Sequence, residues 1–272
     1  MTVTAVGKRD SNPPAINKDD IQLTVGNERK QIASWEKGDK LDLAILIDDS
    51  LDSNVAGQWD DLRAFINAQP ATTSIAVGYA ENSTVSVAQD FTTDHGLAAK
   101  ALRIPRGYYS GGSSPYLSVI DWVKRWPRTG NRGSLLLVSS GIDYFRGGFG
   151  PIYPDVDNAI SRAEKANINI WSLYYPGAGH FGHYLFLVDK GQNNLSKMTL
   201  ETGGESFYIG FQAPVSFKPY LDELARHLSN QYLLSFAGES GKKGKFVTAR
   251  LKTELQGTEL MYASQAYVQP AQ

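Results

Sequence analysis

The hydrophobic pattern of the chain changes character twice. Residues 2–6 alternate apolar and polar, Asn12-Pro13-Pro14 interrupts, residues 21–25 alternate again, and Gly26-Asn27 turns into 30–34. Period-two alternation of this kind predicts half-buried strands joined by turns. From Leu41 onward the pattern differs: 41–47, 135–138 and 168–173 are nearly continuous apolar runs, as expected of strands covered on both faces. Val55, Trp59, Leu62 and Ile66 form a single helical stripe, and Phe217, Leu221, Leu224 and Leu228 repeat its spacing. Residues 73–79 and 84–87 read as strands and 97–102 as a short helix. Ser114-Pro115 joins a capping hydroxyl to a proline at the first helical position, so a helix opens there, with Tyr116, Ile120 and Val123 on one side. Helices are also predicted over 154–166 and 184–202, the second stopped by Gly203-Gly204. Beyond 230 strands return over 231–236, 246–251 and 260–268.

Buried strands alternating with amphipathic helices predict an α/β fold, a doubly wound and mostly parallel central sheet with helices on both faces. The expected organisation is an N-terminal β extension over 1–40, an α/β domain over 41–237, and a C-terminal β segment over 238–272. The two ends are expected to pair as a small β appendage, since chain termini often lie close together. In such folds ligands bind beyond the carboxyl ends of the strands, where strand order reverses. The loops after the buried runs therefore carry the candidate chemistry.

Composition narrows the choice of chemistry. The chain has 272 residues, enough to bury a core without a disulfide or metal staple. The absence of cysteine removes thiol nucleophiles, disulfide frameworks, iron–sulfur clusters and cysteine-bound zinc. With 27 basic and 28 acidic side chains the net charge is −1, which offers no broad basic field for nucleic acid. No apolar run approaches the roughly 20 residues of a membrane span.

After Ile47 comes Asp48-Asp49-Ser50-Leu51-Asp52, three carboxylates and a hydroxyl directly before a predicted helix. Hard oxygens so grouped suit Mg²⁺, Mn²⁺ or Ca²⁺, and in an extended loop positions 48, 50 and 52 point the same way. The same carboxylates equally suit a helix N-terminus. Gly177-Ala178-Gly179-His180-Phe181-Gly182 matches the spacing of a dinucleotide fingerprint. Glu201, however, falls at a helix end and not at the end of the next strand, so no nucleotide is expected. His180 and His183 flank glycine and read as a surface loop; His227 reads as a helix-face residue. Ser139-Ser140-Gly141 puts a hydroxyl at a strand end, where a hydrolase would need one of the four histidines to converge on it. Two loops combine aromatic residues with glycine and arginine, which makes Tyr108, Tyr109, Tyr144, Phe145 and Arg146 candidate ligand contacts. Rings that tuck inward to pack their own loops are the alternative.

Taken in order along the chain, several segments resemble the von Willebrand factor type A domains, and more narrowly the VWFA-related group common in acidobacterial genomes. Asp48-Asp49-Ser50-Leu51-Asp52 sits where that family carries Asp-x-Ser-x-Ser, the first part of its metal-ion-dependent adhesion site. Gly112-Ser113-Ser114-Pro115-Tyr116-Leu117 resembles the segment with the metal-site threonine, and the stretch from Arg132 to Asp143 resembles the strand that ends in Asp-Gly. Asp20-Ile21-Gln22, Gln31-Ile32, Glu201-Thr202-Gly203-Gly204 and Gln231-Tyr232-Leu233-Leu234-Ser235-Phe236 extend the likeness to the flanks. The departures are Asp52 for the second serine, Ser114 for the threonine and Ser140 for the Asp-Gly aspartate.

The resemblance implies a site made by Asp48, Ser50, Asp52, Ser114 and Ser140, with Asp143 behind it. It implies a divalent cation there whose vacant position accepts an acidic side chain of a protein partner. The function so implied is a non-enzymatic, adhesion-type protein-binding module. A metal-free interaction domain is the alternative, and a hydrolase or nucleotide-binding enzyme a further one. Family members are usually exported, so a periplasmic or extracellular location is expected. A chain that opens in a strand is expected to have lost its leader.

Overall fold

The computed structural model describes residues 1–8, 11–107, 113–145, 154–208, 210–238 and 243–270. The first elements are β1 (Thr2–Gly7), β2 (Ile21–Val25), β3 (Glu28–Lys30) and β4 (Ile32–Lys37). Next come β5 (Leu41–Asp48), a 3₁₀ turn over Ser53–Gln58, α1 (Trp59–Asn67), β6 (Thr73–Glu81), β7 (Thr84–Thr92) and α2 (His95–Lys100). The middle holds α3 (Pro115–Lys124), β8 (Arg132–Ser139), α4 (Pro154–Ala166), β9 (Ile168–Tyr174), α5 (Gly179–Gly182) and α6 (Leu185–Glu201). β10 (Ser206–Phe207), α7 (Lys218–Ser229), β11 (Gln231–Phe236), β12 (Lys245–Thr253), β13 (Thr258–Tyr262) and β14 (Gln265–Val268) follow.

The continuous apolar runs lie side by side in the middle of a six-stranded sheet of order β10-β9-β8-β5-β6-β7. β5 pairs in parallel with both β6 and β8, and β9 continues the parallel set. β7 alone is antiparallel, because it returns from β6 through a tight turn at Asn82 and Ser83, both at positive φ. Alternate residues of each run face opposite layers. Leu43, Ile45 and Ile47 pack with Trp59, Leu62 and Ile66 of α1 and Leu221 and Leu224 of α7. Ala44 and Leu46 pack with Tyr116 and Val119 of α3, Val156 of α4 and Leu195 of α6. Both faces are therefore covered, which explains why these strands are apolar throughout. Among the described residues no helix is long and apolar enough to cross a membrane.

The remaining strands form two four-stranded sheets, of order β13-β1-β11-β4 and β14-β12-β2-β3. Val3, Ala5, Leu23, Leu234 and Leu251 form a shared core with these strands. The pattern over 260–268 predicts one strand, but the chain makes two, β13 and β14, in different sheets. The break is pinned from outside: Ala263 bridges Thr202, and the Ser264 amide donates to the Glu201 carbonyl at the end of α6 at 2.9 Å. A buried arginine joins the two parts of the molecule. Arg132 opens β8, donates to the Leu228 carbonyl at 2.9 Å and to Gln231 Oε1 at 2.6 Å, and its pKa is lowered by burial to about 10.

Strand order reverses at β5: the chain moves outward through β6 and β7, then crosses back to β8 on the other side. The crevice between the carboxyl ends of β5 and β8 is the topological switch point, the ordinary ligand position in sheets of this kind.

Candidate functional site

Asp48 is the last residue of β5, and its carboxylate is 3% exposed at the switch point. Oδ1 accepts from the Ser50 amide at 3.0 Å and from Ser50 Oγ at 2.7 Å. Oδ2 accepts from Ser139 Oγ at 2.7 Å. The register Ile47↔Val138 explains the last contact, since it sets the next residue of β5 beside Ser139 at the end of β8. Burial holds the Asp48 carboxyl above the usual carboxylate range, against the three hydrogen bonds that favour its charged form.

The other acids of the cluster are placed differently. Asp49 is equally buried, but Arg103 grips it through Nη1 at 2.6 Å and Nη2 at 3.0 Å, and the Arg106 amide donates to it at 3.0 Å. Arg103 lies 3.7 Å above the Tyr79 ring, and Arg106 also pairs with Glu81. Asp49 therefore ties the segment 103–107 down onto the strand ends. Asp52 accepts from the Asn54 amide at 2.9 Å and caps the 3₁₀ turn that leads into α1. Of the three carboxylates, Asp52 caps, Asp49 is ion-paired, and Asp48 is buried with only neutral donors among the described residues.

Ser114 is the N-cap of α3, with Pro115 in its first turn. Its Oγ accepts from the Leu117 amide at 3.4 Å, and its own amide donates to Ser83 Oγ at 3.0 Å. The loop after β8 meets this cap directly: the Phe145 amide donates to the Ser113 carbonyl at 2.8 Å and Tyr116 Oη to the Gly141 carbonyl at 2.6 Å. Gly141 has φ +71°, and a side chain there would strike the Gly191 carbonyl of α6 at 2.3 Å. Ser140 is wholly buried and accepts from the Ile142 amide at 3.4 Å, while Asp143 is 2% exposed in the same loop.

Among the described residues the structure thus brings Asp48, Ser50 and Ser139 into direct contact. The hydroxyl that reaches Asp48 belongs to Ser139, one residue before the Ser140 singled out from the motif. A one-residue step along a strand reverses the side-chain direction, and motif alignment alone does not fix that step. Phe145 is 45% exposed and Tyr144 partly buried; Tyr108, Tyr109 and Arg146 lie outside the described residues. Exposed apolar side chains that the periodicity did not flag stand after β9, at Phe181, Leu185 and Phe186. Their signal is apolar residues bunched at a helix start, off any stripe. A cleft of about 250 Å³ opens beside the acidic cluster, lined by Asp49, Ala80, Glu81, Asn82, Arg106 and Ser113.

The glycine pattern at 177–182 has a packing explanation. A Cβ on Gly182 would sit 1.9 Å from the Gly177 carbonyl oxygen, so the loop closes on its own backbone where a pyrophosphate would need room. Ser139 Oγ donates to Asp48 and accepts from the Gly141 amide at 2.9 Å, while His95 Nε2 lies 2.9 Å from the Thr73 carbonyl oxygen. His227 lies in α7, against Glu205 and Glu223.

No protein-family profile and no curated protein matches the sequence. Solved structures do. The conserved hypothetical protein BatB from Bacteroides thetaiotaomicron is similar at a TM-score of 0.51 and 11% identity, over 70% of this chain and 97% of that one. An aerotolerance-related membrane protein from Bacteroides fragilis is similar at 0.50 and 9% identity, over 69% of this chain and 98% of that one. A von Willebrand factor type A structure from Catenulispora acidiphila covers 97% of this chain and 76% of its own at 0.46 and 10% identity. At such identities the likeness to the two Bacteroides proteins is one of fold, and that fold is of the von Willebrand factor A type.

Proposed function

We propose that this chain is a non-enzymatic protein-binding module whose ligand meets the loops at the carboxyl ends of β5, β8 and β9. A hard divalent cation held by Asp48, Ser50 and Ser114 is the anchor of that face. The observation that carries the reading is the state of Asp48. A carboxylate 3% exposed has only hydroxyl and amide donors among the described residues, while the nearby Arg103 and Arg106 are engaged by Asp49 and Glu81. A buried charge without a counter-charge costs several kcal/mol, and a cation beside it removes that cost. The oxygen-only donors around Asp48 fit Mg²⁺, Mn²⁺ or Ca²⁺ and not a soft metal. When bound, the cation supplies a Lewis-acidic position to which an acidic side chain of the partner adds.

Asp52 is outside this proposal: it is half-buried and serves as the N-cap of the 3₁₀ turn that leads into α1. The chain's own contribution is orientation. Ser50 and Ser139 hold the Asp48 carboxylate from both oxygens, and Asp49 fixes the segment 103–107 beside it. Phe145, Phe181 and Leu185 supply apolar rim area of the kind that anchors partners.

The test is thermal unfolding of the EDTA-stripped chain with millimolar Mg²⁺, Mn²⁺ or Ca²⁺. Saturation at about 100 times Kd adds about 2.7 kcal/mol, which for a chain of this size raises Tm by about 5–10 °C. Asp48→Ala should abolish the rise. An unmutated chain whose Tm does not respond to any of the three ions would overturn the cation reading and leave a metal-free module.

A further inference from the structure

A second cluster lies where α7 packs beside the β10 edge of the sheet. α7 presents Glu223 and His227 four residues apart on one face, and the Leu228 carbonyl beside them receives Arg132 from the start of β8. Glu205 arrives from another direction: it precedes β10, and its carbonyl accepts from the Ser172 amide of β9 at 3.0 Å. The ligand atoms of Glu205, Glu223 and His227 lie within 4.8 Å of one another.

The imidazole is the informative member. His227 is 6% exposed, stacked on Trp171 at 5.5 Å between ring centroids and on Phe207 at 6.3 Å, so its plane is set by packing. Its Nε2 is buried, 3.2 Å from Glu205 Oε2 and 3.8 Å from Glu223 Oε1. Despite that closeness it makes no hydrogen bond within the described residues. At 3.2 Å, a missing hydrogen bond means that the carboxylate oxygen lies off the axis along which the nitrogen points. A plain imidazole–carboxylate pair would align donor with acceptor. Three ligands around one cation do not. With metal–nitrogen and metal–oxygen bonds near 2.0–2.1 Å, tetrahedral ligand atoms stand about 3.3 Å apart, which matches the Glu205 separation and lies within a small side-chain adjustment of the Glu223 one.

We propose that Glu205, Glu223 and His227 form a divalent transition-metal site, best matched to Zn²⁺. One imidazole with two carboxylates is a borderline donor set, unlike the all-oxygen surroundings of Asp48. The Glu205 and Glu223 side chains are 40% and 31% exposed, so water completes the coordination from the solvent side. A cleft of about 20 Å³ lined by Val6, Glu223, His227 and Asn230 adjoins the cluster, room for one water or ion. The site clamps α7 to the segment leading into β10. It is independent of the loop-face reading.

The experiment is Zn²⁺ titration of the EDTA-stripped full chain by calorimetry, with Co²⁺ absorption as a report of coordination geometry. The unmutated chain and Asp48→Ala are each expected to take up one Zn²⁺ in this site and to give tetrahedral Co²⁺ bands. Glu205→Gln and Glu223→Gln, both at partly exposed positions, should weaken binding by at least the roughly 10–100-fold seen when an outer-shell partner is lost. His227→Phe keeps the stack on Trp171 and should lose the site altogether; the two glutamine variants decide the matter if that variant does not fold. Failure of the unmutated chain to bind micromolar Zn²⁺, or equal binding by both glutamine variants, would overturn the proposal. So would a Zn²⁺ signal lost on Asp48→Ala alone, since the metal would then sit at the loop face.

Discussion

Replacing Asp49 with alanine tests what holds the loop face together. The substitution removes two guanidinium hydrogen bonds at 2.6 and 3.0 Å and the bond from the Arg106 amide at 3.0 Å. It leaves Arg103 over Tyr79 with no carboxylate to meet. Removing one partner of a buried ion pair costs about 3–5 kcal/mol, because the other charge stays behind. The Asp49 side chain is 5% exposed but that of Arg103 is 37% exposed, so water recovers part of the guanidinium's solvation. The lower end, about 3 kcal/mol, is therefore expected, which corresponds to a fall in Tm of about 6–12 °C. Urea unfolding at neutral pH measures the loss. Arg103→Ala and the double variant complete a cycle whose coupling should be about 2 kcal/mol. A loss for Asp49→Ala under about 1 kcal/mol, or two single effects that simply add, would refute the reasoning, since solvent would then be serving Asp49 as well as the arginines do.

Two further outcomes follow from buried ionisable groups away from the loop face. Burial raises the Glu164 pKa to about 7, against hydrogen bonds from Ser264 Oγ and the Gln265 amide. The folded chain then holds a proton that the unfolded chain has lost, so stability should fall as pH rises from about 4.5 to about 7, and Glu164→Gln should flatten that slope in urea midpoints; an unchanged slope would count against it. Arg132→Ala leaves the Leu228 carbonyl and Gln231 Oε1 without their buried donor, a loss of about 3 kcal/mol in equilibrium unfolding; a loss within about 0.5 kcal/mol would mean that the arginine is not the join between the two parts of the molecule.

The α/β architecture was legible along the chain because its cause is local and repeated. A strand covered on both faces must be apolar at every position, and a helix on a sheet must carry a stripe, so 41–47, 135–138 and 168–173 announce themselves. The cap at Ser114-Pro115 is legible for a similar reason, since one hydroxyl and one fixed φ act within a single turn. Tertiary structure decided the rest. Asp48, Asp49 and Asp52 are equivalent as letters. Asp52 caps a turn through Asn54, a local contact, whereas Asp48 and Asp49 separate into a hydroxyl-bound carboxylate and an ion pair only because Ser139 and Arg103 arrive from other elements. The break between β13 and β14 depends on the end of α6, about sixty residues earlier. His227 reads on its own as one more residue of a helical stripe; Glu205, from the far side of β10, is what turns it toward coordination chemistry. Periodicity records which side of an element is buried, whereas the partner of each polar group is set by contacts that no local pattern encodes.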